Sequence, residues 1–159
     1  MERSAQIANH FREVYFNGNR VATNLKDVLK DINQEQATKK VNDLNTIAAL
    51  VYHIHYYIRA VLGVVKGGPL DAHDRYSFDL PPIADDEEWQ NFLATVWQEA
   101  AILADRIEAL PDEALWTIFS EEKYGTYYKN FWGIIEHSYY HLGQIVLLKK
   151  LLNQNGREE

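Results

Sequence analysis

The sequence predicts an all-α fold, a roughly up-down four-helix bundle with a long connection between its second and third helices. Three observations carry this reading. Four stretches place apolar residues three or four positions apart, the spacing that lines one face of a helix. Glycines, prolines and polar clusters fall between those stretches, where a chain must turn. No segment alternates apolar and polar residues for long enough to compete as a strand.

The first helix is read through Ile7, Phe11, Val14, Tyr15, Gly18, Ala22, Leu25, Val28, Leu29 and Ile32, with Gly18 weakening its middle and marking a candidate close helix contact. The polar segment 33–42 ends that pattern. The second helix carries a wider apolar stripe, Ile47, Leu50, Val51, Ile54, Tyr57, Ile58, Val61, Leu62 and Val65, as a largely buried helix should, and Gly67-Gly68-Pro69 stops it. The stretch that follows, as far as Pro81-Pro82, is longer than an ordinary bundle connection needs and carries Asp, His and Arg side chains. It is either a cover for a site at the end of the bundle or a solvated connector. Asp85 followed by Glu88 resembles a helix cap and its reciprocal partner, and Phe92, Leu93, Val96, Ala100, Leu103, Ile107 and Leu110 make the third stripe up to Pro111. Periodicity fails over 112–126, where Trp116, Phe119 and Tyr124 suggest a loop that packs its own aromatics. The fourth helix starts near Tyr127 and runs through Phe131, Ile134, Ile135, His141, Ile145, Leu148, Leu151 and Leu152 to a stop at Asn155-Gly156.

A chain of 159 residues supports one core, so a single domain over 1–159 is expected. Sixteen basic against twenty-three acidic residues give a charge of -7, the wrong sign for a protein that neutralises phosphates, which argues against a nucleic-acid partner. Without cysteine there is no disulfide, no thiolate-held zinc and no thiol nucleophile, leaving His, carboxylates and hydroxyls for any chemistry. The amino terminus lacks the apolar run of a signal peptide, and the longest stretch free of Lys, Arg, Asp and Glu, 44–58, is shorter than the roughly 20 residues that span a bilayer. A soluble, cytoplasmic protein with no membrane partner is expected. Ten Tyr and four Trp must be buried, line a pocket or form an interface, and Trp89 and Trp97 are candidates for a homodimer contact.

The chemistry points to histidines. His137 and His141, in Glu-His-Ser-Tyr-Tyr-His-Leu-Gly-Gln, are four residues apart, which puts both imidazoles on one helical stripe, one turn apart. Two ligands on one helix leave most of a coordination sphere to something else, so a partner must come from another helix. His53 lies in the second apolar stripe, and His55 is about 200° around the same helix, so the two cannot easily serve one ion. Periodicity favours His53 and leaves His55 open, since both neighbour apolar residues. A histidine near an apolar face is more often a hydrogen-bonded core residue than a ligand, and four-residue pairs occur without metal. His10, near the start of the first helix, and His73, in the polar connection, are read as solvated.

Leu50-Val51-Tyr52-His53-Ile54, together with Glu136-His137-Ser138-Tyr139-Tyr140-His141-Leu142-Gly143-Gln144, resembles the DinB and YfiT-like superfamily of metalloenzymes. The likeness spans nearly the whole chain in helix order and length, although only these two segments are specific. It implies a four-helix bundle with a long connection and a divalent metal, Zn, Ni, Fe or Mn, held by three histidines matching His53, His137 and His141. One departure is Leu142, where many relatives carry Arg after the last histidine, which leaves any substrate or helix contact of that Arg without a counterpart.

Three neutral imidazoles leave the charge of a divalent ion uncompensated, which suits activation of a nucleophile. Glu136, Gln144, Tyr57, Tyr140 and Asn130 are polar candidates to orient the ligand rings, each also readable as an ordinary surface or bundle residue. The resembling superfamily includes metal-dependent thiol S-transferases that act with low-molecular-weight thiols, and hydrolases. The first expectation is therefore an enzyme that activates a small thiol or water against a small electrophile. Two others stand beside it: a non-catalytic, stress-associated bundle tied by its metal, and a metal-free dimeric interaction module.

Overall fold

The computed structural model describes residues 2–18 and 22–155. Its regular structure is helical: α1 (Arg3–Tyr15), α2 (Leu25–Leu29), α3 (Gln34–Thr38), α4 (Ile47–Val65), α5 (Asp86–Glu108) and α6 (Tyr127–Asn155), with short 3-10 turns at Asp74–Tyr76, Asp112–Trp116 and Glu122–Tyr124. The four long helices pack as a cycle in which α1 and α4 each lie against both α5 and α6. An isolated antiparallel bridge, Ile118 to Thr126, is the β-type pairing found among the described residues.

The expected first helix is two helices, α1 and α2. α1 ends after Tyr15 because Gly18 and Ala22 take positive φ, +89° and +53°, a conformation that no α-helix continues through. Leu25, Val28 and Leu29 keep helical spacing because α2 restarts there, with the Asn24 side chain accepting from Asp27 N–H. Gly18 is thus outside the helix rather than a contact within it. The polar segment that follows holds α3, whose start is a capping box: Asn33 Oδ1 accepts from Gln36 N–H and Gln36 Oε1 from Asn33 N–H. Asp112 closes the other end of α1, accepting from the N–H groups of Arg3 and Ser4 at 3.0 and 2.9 Å, so a residue more than a hundred positions away satisfies donors that α1 leaves open.

α4 is capped by Thr46, which accepts from Ala49 N–H, and it is buried on more than one face. It is also the one described helix long and apolar enough to cross a membrane, but most of that surface is buried against the other helices, as in a core helix. Asp85 caps α5 as expected, accepting from Glu88 N–H, while the Glu88 carboxylate reaches one residue further, to Ala84 N–H. Arg12 on α1 pairs with Asp105 and Glu108 on α5, at 2.7 and 2.6 Å.

Trp89 is wholly buried and its indole N–H donates to the carbonyl of Ile32 at 2.8 Å, while Trp97 is half-buried with its edge against Phe16. Trp89, wholly buried, is not the dimer contact read from sequence, because α5 turns its ring toward the segment after α2, whereas Trp97 is covered only in part. In 112–126, Leu115 and Phe119 are buried, but Trp116 and Tyr124 are exposed, and Trp116 stacks on Tyr128 of α6. That loop leans on α6 rather than on its own rings. The expected stop at Gly156 lies outside the described residues.

Candidate metal centre

The two apolar helices that carry the histidines, α4 and α6, are neighbours, and at their contact three imidazoles meet. His137 Nε2 lies 3.0 Å from His53 Nε2 and 3.0 Å from His141 Nε2. The three ligand atoms fall within 4.8 Å of one another, and the group could hold a metal ion. Bonds of 2.0–2.1 Å to imidazole nitrogen imply N···N separations of roughly 2.9 Å for ligands at a right angle and about 3.3 Å at the tetrahedral angle. The two 3.0 Å separations from His137 fit that range, and the remaining pair, His53 and His141, lies within 4.8 Å.

Proton placement supports the same reading. Gln144 Oε1 lies 2.7 Å from His141 Nδ1; a carbonyl oxygen only accepts, so Nδ1 carries the proton and Nε2 presents its lone pair. His137 Nε2 then faces two nitrogens at once, and a single N–H cannot align with both. A cation between the three removes the conflict. Burial also keeps the rings neutral: it holds His137 down at about 4, helped by the two neighbouring imidazoles, and lowers His53 and His141 as well. Beside His53, the Ser77 main chain and the Asp74 carboxylate act in the opposite direction, while Gln144 does so at His141.

His55 is not part of the group. α4 lies between α6 and α5, and the half-turn between the two histidines sends His53 toward α6 and His55 toward α5. There His55 is 4% exposed, its Nε2 is 3.1 Å from Glu99 Oε2 without hydrogen-bond alignment, and burial pushes its pKa down to about 4. His10 is half-buried rather than solvated, bonded to Glu13 and packed near Trp132 and Tyr139, because α1 lays it against α6. His73 has an exposed ring, and its backbone exchanges hydrogen bonds with the Tyr56 hydroxyl.

Of the five polar candidates, Gln144 orients a ligand ring directly. Tyr57 packs edge-on against both His53 and His137 and donates to Asp74 Oδ1 at 2.8 Å. Tyr140 sets its ring against His141 yet remains largely exposed, Glu136 faces solvent, and Asn130 donates to the carbonyls of Tyr124 and Thr126. Leu142 is buried in the core.

The long connection does cover the centre. Phe78 stacks flat on His53, ring centres 4.0 Å apart and 10° from parallel, although Phe78 itself is 42% exposed. Sequence reasoning missed Phe78, Ser77 and Asp74, since loop residues follow no period; only the unusual length of the connection pointed to them. Beside the centre an open cleft of about 950 Å³ runs between α4, α6 and the two loops, and His137 and Tyr57 stand in its wall.

Fold and site together define an all-helical protein with a three-histidine centre of metal-binding geometry, covered by an interhelical connection and bordered by a cleft. The sequence profile of the DinB superfamily matches residues 19–145, and the chain belongs to that superfamily. No curated protein and no solved structure matches it.

Proposed function

We propose that this protein is a metal-dependent enzyme built on a DinB-type four-helix bundle, in which His53, His137 and His141 hold a divalent ion and a small thiol or water is activated against a small electrophile. One observation carries the reading: three neutral Nε2 atoms converge beside an open cleft, with no carboxylate joining them as a fourth ligand among the described residues. A structural site closes its coordination sphere with protein; a catalytic one keeps a position for water or substrate. A divalent ion held there supplies Lewis acidity, which lowers the pKa of a thiol or water that reaches it.

The chain's own residues prepare that position. Gln144 fixes the tautomer of His141, Phe78 and Tyr57 confine the plane of His53, and burial keeps all three rings unprotonated at neutral pH. Tyr57, its hydroxyl held by Asp74 and its ring against His137, lines the cleft beside that histidine. The decisive experiment is metal analysis of purified protein after incubation with Zn, Ni, Mn or Fe, followed by a screen of small thiols against a generic electrophile. Stoichiometric metal and metal-dependent turnover, both lost in His53→Ala with the helical content intact, are expected. Protein that takes up none of these ions overturns the proposal.

A further inference from the structure

α6 carries an outer stripe that the described residues leave uncovered. Glu136, Tyr140, Gly143, Leu147 and Lys150 are all exposed and follow one another at steps of four, three, four and three residues. They therefore lie along one face of the helix, over about 21 Å. A face turned to solvent ordinarily carries charge. Here the middle is apolar: Tyr140 is 65% exposed and Leu147 56%, and Leu44, 47% exposed on the neighbouring segment, shares a groove with Leu147. Between the two large side chains stands Gly143, which weakens a helix interior and over which an added Cβ would meet nothing within 4 Å.

The stripe is complementary to itself when reversed. Glu136 stands seven residues before Gly143 and Lys150 seven after, while Tyr140 stands three before and Leu147 four after. When a second copy of α6 is turned end over end about a two-fold axis at Gly143, each Glu136 faces a Lys150, each Tyr140 falls beside a Leu147, and the two glycines meet. Without side chains at the crossing, the two backbones can approach closely. In a parallel pair each residue would meet its own copy, and like charges would face each other at both ends. A seat for the tyrosine is present as well: a groove of about 220 Å³ lined by Leu44, Asn45, Leu50, Gln144, Leu147 and Leu148. Gln144 and Leu148 lie four and eight residues after Tyr140, so the groove opens on the same flank of the stripe as that ring. A two-fold axis normal to both helices keeps the flanks matched, which brings Tyr140 of the second copy to the groove.

We infer that α6 pairs with α6 of a second copy of this chain in an antiparallel, two-fold homodimer centred on Gly143, with Tyr140 of each copy seated in the groove between Leu44 and Leu147 of the other. Gln144, which holds His141, forms part of that groove, so the second copy covers the outer support of the histidine centre. The pairing itself does not depend on a metal.

The chain has no cysteine, so single thiols introduced into the full-length protein report the geometry. Gly143→Cys, mildly oxidised, should link to its own copy, because residues on the axis meet themselves. Gly133→Cys, also exposed and ten residues earlier on α6, should not, since the antiparallel register sets its copy about 30 Å away. Sedimentation of the wild type at micromolar concentration should give twice the mass of one chain, and Leu147→Asp, with its helical content unchanged, the mass of one. Glu136→Lys should weaken association about tenfold by creating two like-charged pairs, and adding Lys150→Glu should restore it. A wild type that stays monomeric overturns the inference and leaves the stripe to a different protein. Links formed by both thiols, as in a parallel pair, or by neither overturn it too, as does association that Leu147→Asp leaves intact or a double charge variant no tighter than the single one.

Discussion

Acidification gives the sharpest test of the centre. A protonated imidazole cannot ligate, so lowering the pH must weaken metal binding, and the pKa of each ring in the metal-free protein sets how far. Three ordinary imidazoles, each near 6.5, would be almost fully available at about pH 7.5 and only about one-eleventh available each at about pH 5.5, a loss of roughly a thousandfold in affinity. In this protein burial holds His137 at about 4, so that ring stays neutral over the whole interval and contributes no loss. Two unshifted rings would leave about a hundredfold. His53 and His141 are themselves lowered, so the loss should be smaller still. The sign is fixed: depressed pKa values move the loss of affinity to lower pH. Competition against a fluorescent zinc chelator at constant ionic strength, across that interval, measures it. A thousandfold loss would refute the reasoning, because it would mean that the rings are solvated when no metal is bound.

Three further outcomes follow from the same geometry. Gln144→Ala frees the tautomer of His141 and should lower metal affinity by about 10–100-fold without altering helical content, read by the same competition; an unchanged affinity would show that Gln144 orients nothing. His55, buried and neutral with a pKa near 4 against 6.5 when unfolded, stabilises the fold above pH 6.5 and loses that contribution as the pH falls toward 4, by roughly 3 kcal/mol in all. Denaturation of metal-free protein should therefore show a pH slope in this window steeper by about one proton than that of His55→Gln, and equal slopes would count against the burial of His55. Trp89→Phe removes the bond to the Ile32 carbonyl and leaves that buried acceptor unpaired, at a cost of about 1–3 kcal/mol measured in urea.

The fold is legible in the sequence where the apolar period runs unbroken. Ile47 to Val65 and the stripe from Phe92 to Ile107 fall within α4 and α5 because a buried face must repeat every three or four residues, and nothing interrupts it. The reading of the first helix failed at Gly18 and Ala22, whose positive φ ends α1. Leu25 and Leu29 happen to keep phase with the helix before them, so periodicity could not register the break, although Asn24 was a cap in plain view. At the site, the four-residue step from His137 to His141 was readable, while the choice of His53 over His55, left open by periodicity and made by the family resemblance, finds its physical reason in the neighbours that α4 has on two sides. Composition left the aromatics to be buried, to line a pocket or to form an interface, and could not tell that Trp89 finds a carbonyl inside the protein. For Phe78 the length of the connection was the one signal, because which loop residue becomes a stacking partner depends on the path of the loop.

That stack bears on the thermodynamics of metal capture. An imidazole free to turn must give up rotational freedom when it coordinates, and that loss offsets part of the bond. With Phe78 flat against one face and the edge of Tyr57 against the ring, His53 is held in its coordinating plane before any ion arrives. Shortening Phe78 to Ala should thus leave the heat of binding nearly unchanged and make its entropy less favourable, so that calorimetry would register the connection as a contributor to affinity although it supplies no ligand.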